Sequence, residues 1–264
     1  MGKLFRQIFK EDIKKVIAWM LSPMLIAAVG ALLYNRTNFR PVALVIFVSM
    51  AVMTFAPLVS LASLVDNDNA RFYGKKAAFY SSLPVSSEKV TGARLINYLI
   101  MGLVIGIFGL FNFLTFAVTD QSGLEPLDIL KAIVQNIDFN IFISIIKFAV
   151  ILVLFYAIFI LIIMAATTLG ASRPFNKMGK IGGVILFAGM FLFQGYIYVK
   201  FINVLGNTTL IKFKEYSKGT ATFTINMLDL NWSSFAIIVL ILAIFALAYF
   251  ALVNYFHKEK ISVD

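Results

Sequence analysis

Apolar residues run through this chain in six long blocks, and short polar segments separate them. The blocks extend from Val16 to Tyr34, Pro41 to Val65, Leu95 to Val118, Phe139 to Leu169, Ile181 to Val199 and Ser233 to Phe256. Each approaches or exceeds the roughly 20 residues that an α-helix needs to cross hydrocarbon. The pattern predicts an all-α membrane protein with six transmembrane helices in one domain spanning residues 1–264. Pro23 and Pro57 are kink positions in the first two spans, because proline breaks the i→i−4 ladder. Gly102 and Gly106 in the third span have the spacing of close helix packing. The fourth block is long enough to require tilt. Ahead of the first block, residues 3–15 place Leu4, Phe5, Ile8, Phe9 and Ile13 on one helical face and basic residues on much of the rest. That pattern predicts a helix lying in the membrane interface.

Composition fits this reading. Of 264 residues, 61% are hydrophobic and 14% charged, whereas soluble domains are nearer half apolar and a quarter charged. The first block is too long for a cleaved signal peptide and reads as a retained span. The net charge of +10 comes from basic residues in short segments beside the spans, which is a topology signal rather than a nucleic-acid footprint. With both termini cytoplasmic, the inner segments hold most of the Lys and Arg. Lys75 and Lys177 then lie inside, and Asp128 and Lys214 outside, the last within a long outer segment at residues 200–232. Rich usage of Phe, Ile, Lys and Asn suggests an AT-rich bacterial genome, and the expected location is then the bacterial cytoplasmic membrane.

Several chemistries are missing. No Asp or Glu interrupts the six blocks, which removes the buried acids that ion-coupled transporters use. The chain has no cysteine and one histidine, His257. His257 stands at the end of the last span and reads as interfacial, so no metal site is expected. No G-x-x-x-x-G-K-[ST] loop occurs, so the chain is not expected to be an enzyme that hydrolyses ATP itself. Lys147, in the fourth block, is expected to snorkel toward the interface.

The most informative stretch is Asp66 to Arg94, DNDNARFYGKKAAFYSSLPVSSEKVTGAR. Its five basic residues place it in the cytoplasm. It also carries Phe72, Tyr73, Phe79 and Tyr80, aromatics that solubility does not need. Pro84 predicts a break between a short helix over roughly 74–82 and the helix of the third span. Ser86 suits the N-cap of that helix, and Glu88 its first turn. Phe79 and Tyr80, with Leu83, are the candidate contact with a partner, and Lys75 and Lys76 would steer docking.

Within this stretch, FYSSLPVSSEKVTGARLINYL resembles the cytoplasmic segment of ABC-2-type permeases, the membrane subunits of ATP-binding-cassette exporters. Leu83, Pro84, Val85, Ser86 and Glu88 or Lys89 match its pattern, and Arg94 stands near the usual basic residue. Ser87 departs from it, since the family commonly has Arg there. The resemblance implies an N-terminal elbow helix at residues 3–15 and a coupling helix between spans two and three. Lys75, Lys76, Phe79, Tyr80, Leu83, Pro84 and Glu88 would form the ATPase-coupling set. It implies a dimer, either a homodimer or a pairing with a paralogue. An ATPase subunit holding Mg-ATP would dock on each cytoplasmic face, with no cofactor in this chain. The cargo would be amphipathic or lipid-like, such as a peptide toxin, bacteriocin, antibiotic or lipid. Phe187, Phe191, Gln194 and Tyr198 on the fifth span would line its path. A polytopic membrane protein without transport activity, such as a sensor, assembly factor or immunity protein, is the alternative.

Overall fold

A computed structural model describes residues 2–37, 39–82, 84–119, 139–172, 179–206, 211–216 and 225–261. Leu83, Asp128, Lys177 and residues 120–138, whose stretch LDILKAIVQNI is amphipathic in sequence, lie outside them. The described elements are α1 (Gly2–Thr37), α2 (Arg40–Phe72), α3 (Ala77–Ser81), α4 (Ser87–Thr119), α5 (Phe139–Gly170), α6 (Gly179–Gly206), β1 (Ile211–Tyr216), β2 (Ile225–Leu230) and α7 (Trp232–Ile261). Six of the helices are long and apolar enough to cross a membrane. Many of their large side chains face outward, Phe47 at 72% and Leu103 at 61% exposure, as a lipid-facing surface requires. The expectation of an all-helical chain misses one feature. The segment after α6 contains an antiparallel hairpin with Ile211 opposite Leu230 and Tyr216 opposite Ile225. Its strand IKFKEY alternates apolar and charged residues over most of its length, the period of a strand rather than a helix.

The chain divides into two compact units, Met1–Gln135 and Asn136–Asp264, where one domain was expected. In the first, α1 packs along α2 and α4, and α3 packs on α2. In the second, α5 packs on both α6 and α7, and β2 touches α5. The core of the second unit gathers Ile158, Ile162 and Leu242 with Phe187, Met190 and Phe245 around them.

Two boundaries differ from the sequence expectation, for one physical reason. The second helix does not stop at Val65 but runs to Phe72. Its buried positions, Ser49, Met53, Ala56, Ser60, Leu64, Asp68, Arg71 and Phe72, step by three or four residues over most of its length. The polar DNDNARF run therefore extends the same inward stripe and stays helical. Likewise the elbow is not a separate element, because α1 is unbroken from Gly2 to Thr37. Leu4 and Ile8 are buried against Phe72, Tyr80, Val90 and Ala93. Of the apolar face expected to rest on lipid, these two positions are covered by the chain itself, and Phe5, Phe9 and Ile13 are half-buried.

Candidate functional site

Beyond the apolar part of the first unit, α1, α2, α3 and α4 converge on a knot of charges. Asp12 is 2% exposed and Arg71 1%. Arg71 donates from Nη1 to Asp12 Oδ2 at 2.9 Å and from Nη2 to Oδ1 at 2.5 Å, a bidentate pair across α2 and α1. Asn97 of α4 donates to Asp12 Oδ2 at 2.7 Å, and Asn67 of α2 to Oδ1 at 3.0 Å. Lys15 in turn donates to Asn67 Oδ1. One α1 carboxylate thus fixes both neighbouring helices.

A second pair lies beside the first. Arg94, fully buried in α4, donates from Nε to Asp68 Oδ1 and Oδ2 at 3.1 and 3.0 Å, and from Nη2 to Oδ2. Its Nη1 donates to the Tyr73 hydroxyl at 3.1 Å, and its guanidinium lies 4.7 Å from the Phe72 ring centre. Both pairs satisfy their charges by hydrogen bonding, the condition under which buried ions are tolerated. At the rim, Glu11 Oε2 accepts from Arg71 Nε and Nη2, each at 3.2 Å, and from Lys76 Nζ at 3.3 Å. These carboxylates are occupied by guanidinium, amide and ammonium donors, so their chemistry is to hold helices together.

The short α3 sits on this base. It covers Ala77–Ser81, within the expected range and shorter. Ser86 stands just before α4, and its carbonyl accepts the Val90 N–H at 3.1 Å. Glu88 lies in the first turn of α4. The paired aromatics part company here. Phe79 is 54% exposed, but Tyr80 is 6% exposed. Expecting both rings at a docking surface is therefore corrected for Tyr80, whose ring is drawn into the pocket between α1, α2 and α4. Burial, and then the negative charge of Glu11, raise its hydroxyl above the usual tyrosine value. Lys75, Lys76 and Pro84 are exposed, so these three share the outer surface with Phe79.

On α6, the residues expected to line a cargo path largely face their own unit. Phe187 stacks on Phe191 at 5.7 Å, and both meet Phe159 edge-on. Tyr198 packs edge-on against Phe155 and Phe245. Gln194 is buried and accepts from the Tyr249 hydroxyl at 3.1 Å. Only Phe191 of the four is exposed. Lys147 is buried, its ammonium 4.2 Å from the centre of the Trp232 ring, so an indole at the start of α7 receives it. His257, at the end of the last span, is fully buried.

The sequence reading overlooked Glu11, Asp12, Asp68 and Asn97. A signal existed for two of them: Asp12 continues the Leu4–Ile8 spacing, and Asp68 continues Ser60–Leu64. A charge inside an inward stripe calls for a buried partner. Comparison of the chain with protein-family models, curated proteins and solved structures finds no match.

Proposed function

We propose that this chain is the membrane-spanning permease subunit of an ATP-driven exporter in a bacterial cytoplasmic membrane. In this reading a separate ATP-binding-cassette subunit docks at α3, and two permease copies form the conduit. The observation that carries it is the α3 surface. Phe79 is exposed, as are Lys75 and Lys76, on or just ahead of a five-residue helix anchored through Tyr80 in a buried apolar cluster. Aromatic side chains with a basic rim suit a partner's apolar groove edged with acids. The absence of a phosphate-binding loop from the sequence leaves ATP hydrolysis to the partner. An amphipathic or hydrophobic cargo suits six apolar blocks that carry no carboxylate.

Burying one such ring is worth roughly 1.5–3 kcal/mol, or about tenfold to a hundredfold in affinity. The test is co-purification of the permease with its ATPase, comparing wild type with Phe79→Ala. The variant should insert normally and lose most of the ATPase. Equal recovery of an active complex would remove Phe79 from the interface. Failure of the wild-type chain to retain any ATPase would favour the non-transporting alternative.

A further inference from the structure

A continuous run of side chains leads from the exposed tip of α3 to the Arg94–Asp68 pair. The Phe79 ring meets Tyr80 edge-on, their centres 5.3 Å apart at 89°. Tyr80 meets Phe72 at 5.2 Å and 56°. The face of Phe72 lies under the Arg94 guanidinium at 4.7 Å, and Arg94 is bound to Asp68 through three donor contacts. Phe79 and Tyr80 belong to α3, Phe72 and Asp68 to α2, and Arg94 to α4. The run therefore ends on the ion pair that joins two spans.

Its inner members are all buried, Tyr80 at 6%, Phe72 at 8% and Arg94 at 0%. Packed interiors have low compressibility and transmit strain, so a push on Phe79 toward Tyr80 is passed to the buried rings behind it. The ion pair just ahead of α3 is a weaker link. Lys76 and Glu11 meet at 3.3 Å, but their side chains are 56% and 37% exposed, and water can replace either partner.

We infer that Tyr80 is a positioning residue that passes a displacement of Phe79 through Phe72 to the Arg94–Asp68 pair, and so to α2 and α4. The inference rests on the reading of α3 as a docking element. It assigns Tyr80 a role distinct from contact, because the ring that touches the partner is Phe79. The ring, rather than the hydroxyl, is the required part. Tyr80→Phe should therefore retain function, while Tyr80→Leu, apolar but without the ring, should lose it.

Two measurements test this. The chain has no cysteine, so spin labels can be placed at the exposed positions Lys75 and Glu88. Electron–electron distances in the purified permease should be narrowly distributed in wild type and in Tyr80→Phe. They should broaden in Tyr80→Leu and Phe72→Leu. Unchanged widths in both leucine variants would overturn the link, as would equal broadening in Tyr80→Phe. In the complex with its ATPase, Tyr80→Leu should still bind the partner while export per ATP falls about two- to thirtyfold, the range of coupling effects along such networks. Wild-type export per ATP in that variant would also overturn the inference. The distance measurement needs no partner, so a missing ATPase would refute the docking reading alone and leave the link to be judged by the distances.

Discussion

At the scale of the residue, the buried ion pairs dominate. Arg94 has no exposed surface, and Asp68 is 5% exposed. Removing one partner strands the other as an uncompensated charge. Asp68→Asn should therefore cost about 3–5 kcal/mol, whereas a well-packed apolar replacement of both, Asp68→Leu with Arg94→Met, should cost far less. Thermal unfolding in detergent, followed by tryptophan fluorescence, distinguishes the two outcomes. Tyr80 gives a pH-dependent counterpart. Its folded-state value is raised by burial and by Glu11. The stability it contributes is therefore complete below the unfolded tyrosine value of about 10 and is lost as pH rises through the raised value. Wild type should lose stability in that alkaline window by more than Tyr80→Phe does, and the difference between their melting curves reads it. These residues also mark where sequence reading stopped. Burial of Tyr80 and exposure of Phe79 follow from how α3 lies on α2, which no local pattern specifies for a five-residue helix. Asp12 and Asp68 were legible as charges in inward stripes, but their partners come from helices distant in sequence.

At the scale of the element, the span pattern was readable because about twenty apolar residues leave few alternatives to a helix. Element ends were less so. Asp66 and Asn67 look like loop residues in isolation, yet the buried stripe through Leu64, Asp68 and Arg71 carries α2 onward. Helix contacts offer a further test. A Cβ built on Gly170, at the end of α5, would lie 2.8 Å from Gly183 Cα and 2.9 Å from its nitrogen in α6. Backbone cannot yield as a side chain can. Gly170→Ala should therefore destabilise the second unit by about 1–3 kcal/mol, seen as earlier melting or faster proteolysis. A Cβ added to Gly106 in α4 would meet nothing within 4 Å. Gly106→Ala should leave the isolated chain as stable as wild type or up to about 1 kcal/mol more stable. Lost export in that variant, with the chain intact, would locate a packing partner on the Gly106 face.

At the scale of the molecule, six spans and the basic segments around them fix an expected orientation. A single cysteine replacing Lys75 should label in inverted vesicles and stay unlabelled in intact cells, because its basic residues are expected to hold the segment on the cytoplasmic side. Labelling from outside would reverse the topology. The unbroken α1 then has a mechanical consequence. At 1.5 Å per residue, about 15 Å of the rod lies on the Gly2 side of Asp12 and about 38 Å on the Thr37 side, and packing along α2 supports it on both. The rod bends most easily at Pro23, the proline inside the helix, where one rung of the ladder is missing. Pro23→Ala would restore that rung, so the spread of distances between labels at the two ends of α1 should narrow in that variant.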